Sequence, residues 1–167
     1  MSIDFTLDLP DEAATLAFGA LLAKALRPNL TVYLQGDLGV GKTTLVRGLL
    51  RALGFVGKVK SPTYTLLELY PVELADQTPV QLCHFDLYRF NDEEEWEYSG
   101  FREHFNEGSV CLIEWPGKAK NCLNRPDLEI VFDVKMLANL LGRHVRVMAY
   151  TPLGKQCLQA ISTLNHA

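Results

Sequence analysis

Apolar and polar side chains alternate along residues 3–9 (IDFTLDL), a pattern that predicts a strand with one buried face. Apolar residues with helical spacing then run over residues 14–26. Asp11 and Glu12 stand at the expected positive end of that helix, and Pro28 follows its last turn. The chain is therefore predicted to begin with a strand and a helix.

Four short apolar runs predict strands in the middle of the chain. They lie at residues 30–34, 63–70, 80–86 and 110–115. Residues 45–53 have helical spacing and end at Gly54, while residues 71–79 are predicted to be a polar connection. The five acids within residues 92–97 predict the start of a further helix.

The last third of the chain predicts an antiparallel extension. Residues 128–134 and 144–150 alternate as two more strands, and residues 153–164 have helical spacing. Strands and helices that alternate first and are followed mostly by strands are typical of an α/β protein. We therefore predict an α/β fold with antiparallel C-terminal strands.

Composition and charge limit the possible functions. A chain of 167 residues is expected to form one domain, residues 1–167, and its 48% of hydrophobic residues excludes a wholly disordered protein. The formal net charge of −4 lacks the basic excess of a protein that grips nucleic acid alone. A role beside RNA as one member of a complex stays open.

The sequence predicts neither membrane insertion nor export. No apolar run approaches the ~20 residues that span a bilayer, and the first ten residues contain Asp4 and Asp8 without a basic start. The four cysteines form no CxxC pair, so reduced thiols in a cytoplasmic protein are expected.

The most specific motif is G-D-L-G-V-G-K-T at residues 36–43, which fits the phosphate-binding pattern G-x-x-x-x-G-K-[ST]. Its glycines permit a close backbone approach, so that successive N–H groups can cradle phosphate oxygens. Lys42 supplies a cation for the terminal phosphates, and Thr43 offers a hydroxyl to Mg²⁺. Because a predicted strand precedes the loop and a predicted helix follows it, we predict nucleoside triphosphate binding.

Two acids that close predicted strands are candidates for the far side of the metal site. Asp86 ends the third apolar run and Glu114 lies near the end of the fourth. Ligands of open α/β sheets lie at the carboxyl ends of strands. One acid is expected to hold the metal and the other to orient water, and the residue pattern leaves that choice open. His84 is interpreted as a strand residue beside the site, since phosphoryl transfer depends mainly on positioning and charge.

Several further residues have two interpretations each. Ser61, Pro62 and Thr63 form either a loop that senses the terminal phosphate and reorders on hydrolysis or an ordinary turn. Arg89 is either a transition-state cation or the ion-pair partner of the acidic cluster that follows it. Trp115 and Arg89 are also candidate contacts for a protein partner.

Four motifs follow one another along the chain: GDLGVGKTT at 36–44, SPTYT at 61–65, HFDLYR at 84–89 and IEWP at 113–116. In this order they resemble the bacterial TsaE family, also called YjeE. The resemblance implies a single-domain, three-layer fold like that of P-loop NTPases. It also implies a small ATPase of tRNA N6-threonylcarbamoyladenosine (t6A) synthesis.

The resemblance implies ATP and Mg²⁺ as cofactors. The residues that it places on the phosphates are Asp37, Leu38, Gly39, Val40, Gly41, Lys42, Thr43 and Thr44. It places Mg²⁺ on Thr43 and Glu114 with Asp86 at or near the metal, so that Lys42, Asp86 and Glu114 are the expected catalytic residues. Candidates for the adenine pocket are Asp11, Thr15 and Arg143. The Ser-Pro-Thr loop would be a switch, and Trp115 would flank the metal site.

The resemblance also implies partners, namely the TsaD and TsaB subunits of the tRNA threonylcarbamoyl transferase. Binding and ATP hydrolysis would reset that complex between rounds of modification at tRNA adenosine 37. The chain would reach tRNA only indirectly, which agrees with its acidic charge. Hydrolysis by the isolated protein is expected to be slow.

Three other functions are weaker alternatives. A small-molecule kinase needs an acceptor site and usually an arginine-bearing lid, and no arginine-rich segment follows the phosphate loop. A GTP switch would read guanine with Asn-Lys-x-Asp, whereas residues 124–127 read N-R-P-D. A nucleotide-dependent binding module without useful turnover also fits the motif, because isolated P-loop proteins can hydrolyse very slowly.

Overall fold

The structure is a computed structural model that describes residues 3–166, in which four α-helices and seven strands alternate with two short 3₁₀ turns. The strands are β1 (Ile3–Leu9), β2 (Thr31–Gln35), β3 (Leu67–Glu73), β4 (Pro79–Asp86), β5 (Ser109–Glu114), β6 (Leu128–Leu137) and β7 (Leu140–Ala149). The helices are α1 (Glu12–Ala25), α2 (Lys42–Ala52), α3 (Glu93–Ser99) and α4 (Pro152–Asn165), and the 3₁₀ turns are Phe101–His104 and Pro116–Ala119. Within this described range, every helix is too short or too polar to cross a membrane.

All seven strands join one sheet in the order β1-β7-β6-β2-β5-β4-β3. The four central strands, β6, β2, β5 and β4, are parallel, whereas β7, β1 and β3 run antiparallel to their neighbours. Because β2 has β6 on one side and β5 on the other, the loop after β2 emerges at the centre of the sheet. The predicted α/β class and the antiparallel C-terminal strands are confirmed.

The sheet separates two apolar layers, because alternate residues of a strand point to opposite faces. On β5, Val110 and Leu112 belong to the core shared with α1, α2 and α4. Cys111 and Ile113 belong instead to a smaller core with Trp96 of α3. Helices thus pack on both faces of the sheet, and the three-layer prediction is confirmed.

Two glycines let α1 and α2 pack closely against each other. A Cβ on Gly48 would lie 2.9 Å from the Cα of Leu16, and a Cβ on Gly19 would lie 2.8 Å from the backbone nitrogen of Leu49. Backbone atoms of a packed helix cannot move aside as the end of a flexible side chain can. This contact fixes α2, whose first residue is Lys42.

Replacing Gly48 by alanine is expected to lower the free energy of unfolding by about 1–3 kcal/mol, because the new methyl group meets the backbone of α1. Chemical denaturation measures this change. The matched control is Gly117→Ala, since a Cβ on Gly117 would meet no atom within 4 Å. Equal stability of the two variants would contradict the close packing of α1 and α2.

The strand predicted over residues 63–70 is displaced in the structure. β3 begins four residues later, after a turn in which Leu66 has a φ of +66° and donates its N–H to the carbonyl oxygen of Pro62. β3 then continues through Pro71, because an edge strand tolerates a missing N–H. The prediction of a polar connection from residue 71 onward is therefore wrong for its first three residues.

β6 and β7 are longer than predicted, since they continue beyond residue 134 into a tight hairpin. Ala138 and Asn139 form its turn with φ values of +48° and +67°, both positive as a type I′ turn requires. Val134 and Met136 are exposed near the tip. With no buried face there, the alternation of apolar and polar residues cannot mark where the strands end.

Candidate nucleotide-binding site

The phosphate loop follows β2 and ends where α2 begins. Gly36 and Gly41 have φ values of +142° and +117°, which residues with a side chain rarely adopt. A Cβ on Gly36 would also lie 2.9 Å from the carbonyl oxygen of Phe132. The two glycines thus lead the chain to the N-terminus of α2, where backbone N–H groups without helical partners are available to an anion.

The side chain of Lys42 is buried in this loop, with 4% of the residue exposed. Its Nζ donates a hydrogen bond to the carbonyl oxygen of Gly36 at 2.5 Å and lies 3.9 Å from the ring centre of Trp115. Burial lowers the pKa of Lys42, and the charges of Glu114 and Asp86 oppose that shift. Among residues 3–166 no carboxylate forms an ion pair with Lys42. A buried cation of this kind suits an incoming phosphate.

Asp86 and Glu114 end neighbouring parallel strands and are paired in register. Both are buried, and Glu114 Oε2 accepts a hydrogen bond from Thr43 Oγ1 at 3.2 Å. Asp86 Oδ1 accepts the backbone N–H of Tyr88 at 3.0 Å. Burial raises the pKa of Asp86, more than the Tyr88 hydrogen bond lowers it. The structure therefore brings both predicted carboxylates to the mouth of the phosphate loop.

The oxygen donors at this point fit Mg²⁺ together with a nucleotide. Within the described chain, no cluster of three or more His, Cys, Asp or Glu side chains could hold a metal by itself. Thr43 and Glu114 nevertheless present a hydroxyl and a carboxylate in direct contact. Mg²⁺ is commonly held by one or two protein ligands plus phosphates and water, so this small donor set agrees with the predicted site.

The Ser-Pro-Thr loop lies against the same site. Ser61 and Thr63 join Asp86, Glu114 and the phosphate loop in lining a cavity of about 250 Å³. The hydroxyls of Ser61 and Thr63 are hydrogen-bonded to each other at 2.9 Å, and Pro62 between them is buried. The predicted switch loop thus lines the same cavity as Lys42 and Thr43.

Arg89 does not pair with the acidic cluster that follows it. Its guanidinium carbon lies 4.8 Å from the ring centre of Tyr64, which is exposed. The interpretation of Arg89 as an ion-pair partner is therefore wrong for this structure. Tyr88, the preceding residue, places its ring 5.0 Å from that of Trp115. Of these residues, Trp115 lines the cavity beside the phosphate loop.

A second cavity of about 180 Å³ adjoins the phosphate loop on its other side. Asp11, Thr15 and Arg143 line it together, although more than 120 positions separate the last of them from the others. Arg143 Nε donates to the carbonyl oxygen of Val40 at 2.9 Å, which links β7 to the loop. Asp11 caps α1 by accepting the N–H of Ala14 at 2.8 Å. The three predicted adenine-pocket residues thus share one cavity beside the loop.

Sequence reasoning missed two contacts at the site. His84 is fully buried, and its Nε2 lies 2.6 Å from Glu114 Oε2. Trp115 has a φ of +57° and a ψ of +49°, an uncommon conformation for a bulky residue, and its ring lies beneath Lys42. Strand alternation could have placed His84 on the same face as Asp86. No sequence signal indicates the contact of Trp115 with the lysine.

A family profile described as threonylcarbamoyl adenosine biosynthesis protein TsaE matches residues 9–143. The chain belongs to the TsaE family. TsaE proteins of Haemophilus influenzae and Bacillus subtilis, both named tRNA threonylcarbamoyladenosine biosynthesis protein, are 42% and 37% identical to it. These matches cover 92% and 88% of this chain, and 95% and 84% of those TsaE proteins. The resemblance seen in the four motifs is confirmed.

A solved structure supports the fold independently. The crystal structure of Bacillus subtilis YdiB matches with a TM-score of 0.72, covering 99% of this chain and 98% of that one. The identity is 23%, so this match describes the architecture alone. It agrees with the α/β fold found for this TsaE family member.

Proposed function

We propose that this TsaE family member is a Mg²⁺-dependent ATPase that serves t6A modification of tRNA by binding and resetting the TsaB–TsaD complex. The family match supports the place in t6A biosynthesis. The observation that carries the ATPase part is the buried cation of Lys42, which has no carboxylate partner among residues 3–166, beside the Thr43–Glu114 contact. Both lie at a loop that fits a triphosphate.

Different residues of the chain bind the phosphates, the adenine and the metal. Residues 37–44 and the N-terminus of α2 hold the phosphates, and Lys42 moves from the Gly36 carbonyl to phosphate oxygens. Asp11, Thr15 and Arg143 form the wall against which the adenine rests. Thr43 and Glu114 would hold Mg²⁺, and Asp86 lines the same cavity. Ser61 and Thr63 contact the terminal phosphate and move when it leaves.

Hydrolysis requires a water molecule in line with the terminal phosphate and compensation of negative charge. Bound Mg²⁺ supplies part of that compensation. Glu114 and Asp86 are the carboxylates that can orient the water, since both line the cavity at the phosphate end. Lys42 is the buried cation of this cavity, and its Nζ lies 3.9 Å from the centre of the Trp115 ring.

Turnover is proposed to depend on the partner complex, which acts in the cytoplasm. The proposed partner contacts are Trp115, which lines the phosphate-end cavity, and Arg89, whose guanidinium lies over the exposed ring of Tyr64. A residue supplied by a partner can accelerate P-loop hydrolysis by about 10³-fold or more. Repeated ATP hydrolysis would then release TsaB–TsaD for the next round.

The isolated protein is expected to hydrolyse ATP slowly and to become at least about tenfold faster when purified TsaB–TsaD is added. Phosphate release under saturating ATP and Mg²⁺ measures this, with Lys42→Ala as the inactive reference. An unchanged rate together with no detectable binding to TsaB–TsaD would contradict the resetting role. That result would not bear on whether the protein binds ATP.

A further inference from the structure

His84 occupies a position where packing alone would favour an apolar residue. It lies on β4 between Leu82 and Asp86 on the same face, and both His84 and Leu82 are fully buried. The nearest residues of that face on β5, Val110 and Leu112, are also apolar and buried. Burying an imidazole there costs the free energy of hydration of its polar nitrogens, a cost that leucine does not have. The histidine therefore requires another explanation.

The two ring nitrogens of His84 have different surroundings. His84 Nε2 lies 2.6 Å from Glu114 Oε2, whereas Nδ1 is buried without a hydrogen-bond partner in residues 3–166. An ionised carboxylate only accepts hydrogen bonds, so toward such a carboxylate Nε2 is the donor of this contact. Nε2 of His84 therefore contacts this carboxylate, whereas Nδ1 has no hydrogen-bond partner in the described chain.

Glu114 is anchored through one oxygen only. Oε2 accepts from His84 at 2.6 Å and from Thr43 Oγ1 at 3.2 Å, so the histidine contact is much the shorter. Oε1 has no hydrogen bond within the described part of the chain, and Glu114 lines the cavity at the phosphate end. The histidine thus fixes the carboxylate plane while one oxygen stays available to a ligand.

We propose that His84 is a positioning residue, which orients the Glu114 carboxylate for the metal and water of the nucleotide site. The proposal rests on the proposed ATPase function. Outer contacts of this kind preset the geometry of a metal-binding carboxylate, and their loss typically costs about 10- to 100-fold in metal affinity or activity. Glu114 lines the cavity at the phosphate end and His84 does not, so the proposed effect of His84 passes through Glu114.

Three variants of His84 separate positioning from packing. His84→Leu removes the donor and keeps an apolar side chain, and His84→Asn places its amide too far back to reach Glu114. His84→Gln carries an amide nitrogen near the position of Nε2 and can donate to the carboxylate. Leu82→Ala is the matched control, because it disturbs the same face of β4 two residues away from His84.

The main readout is the affinity for a fluorescent ATP analogue at increasing Mg²⁺ concentrations, with thermal unfolding and steady-state hydrolysis measured alongside. His84→Leu and His84→Asn are expected to bind the analogue without Mg²⁺ as the unaltered protein does. Both should need about tenfold more Mg²⁺ for the same gain in affinity and should lose a similar factor in kcat. His84→Gln should recover most of both losses.

Leu82→Ala should lower the unfolding temperature without changing the Mg²⁺ requirement. The proposal is overturned if the Leu and Asn variants keep the normal Mg²⁺ requirement, or if the Gln variant is as impaired as they are. An unaltered protein whose affinity for the analogue does not respond to Mg²⁺ would contradict the proposed function itself. The two failures are therefore distinguishable in one set of titrations.

Discussion

Replacing Lys42 by alanine is expected to weaken ATP binding by about 10- to 100-fold. Hydrogen bonds to charged groups contribute about 1.5–3 kcal/mol, and each 1.4 kcal/mol corresponds to about a factor of ten. Lys42 is the buried cation of the phosphate loop; its Nζ donates to the Gly36 carbonyl and is proposed to meet the phosphates of bound ATP. Alanine removes that charge and leaves the carbonyl oxygen without its donor. Isothermal titration calorimetry with ATP and Mg²⁺ measures the loss.

Lys24→Ala is the matched control for this experiment. Lys24 lies exposed in the last turn of α1, so its removal changes the net charge equally without touching the loop. Its affinity for ATP should equal that of the unaltered protein. If Lys42→Ala retained the same affinity as Lys24→Ala, the assignment of residues 36–43 as the phosphate-binding loop would be wrong.

Replacing Glu114 by glutamine is expected to lower ATP hydrolysis by about 100-fold or more while ATP binding changes much less. Glutamine preserves the size of the side chain but loses the charge that orients water and metal, and general-base and related roles contribute about 10²- to 10⁴-fold. An interaction that matters mainly in the transition state lowers kcat more than it raises KM. Hydrolysis under saturating ATP, beside calorimetric binding, separates the two effects.

Glu107→Gln provides the comparison for Glu114→Gln. Glu107 is exposed just before β5, the strand that ends at Glu114, so both changes remove one carboxylate from the same part of the chain. The Glu107 variant should keep normal turnover. Normal turnover in the Glu114 variant would exclude this residue from the catalytic site. A loss of ATP binding as complete as that of Lys42→Ala would assign Glu114 to binding alone.

Local signals explain why much of the architecture could be predicted from sequence. The G-x-x-x-x-G-K-[ST] spacing is short and encodes its own backbone geometry, so the strand, loop and helix around Lys42 follow from it directly. The apolar runs that end at Asp86 and Glu114 likewise placed both acids at strand ends. Parallel neighbours align those ends at one edge of the sheet, where the structure has them in register.

The parts of the site that could not be predicted from sequence are contacts between segments far apart along the chain. His84 meets Glu114 across 30 positions, and Trp115 meets Lys42 from a left-handed backbone conformation that no sequence pattern indicates. The shared cavity of Asp11, Thr15 and Arg143 depends on β7 lying beside β1. No periodicity encodes these pairings, and the adenine-pocket candidates came from the resemblance to TsaE rather than from spacing.

The most direct test of the central claim is a tRNA modification assay over many turnovers with purified TsaB–TsaD, ATP, the threonylcarbamoyl donor and this protein. We expect repeated formation of t6A with the unaltered protein, and no more than about one round per complex with Lys42→Ala or Glu114→Gln. Modification that continues equally well with these variants, or without the protein, would contradict the account.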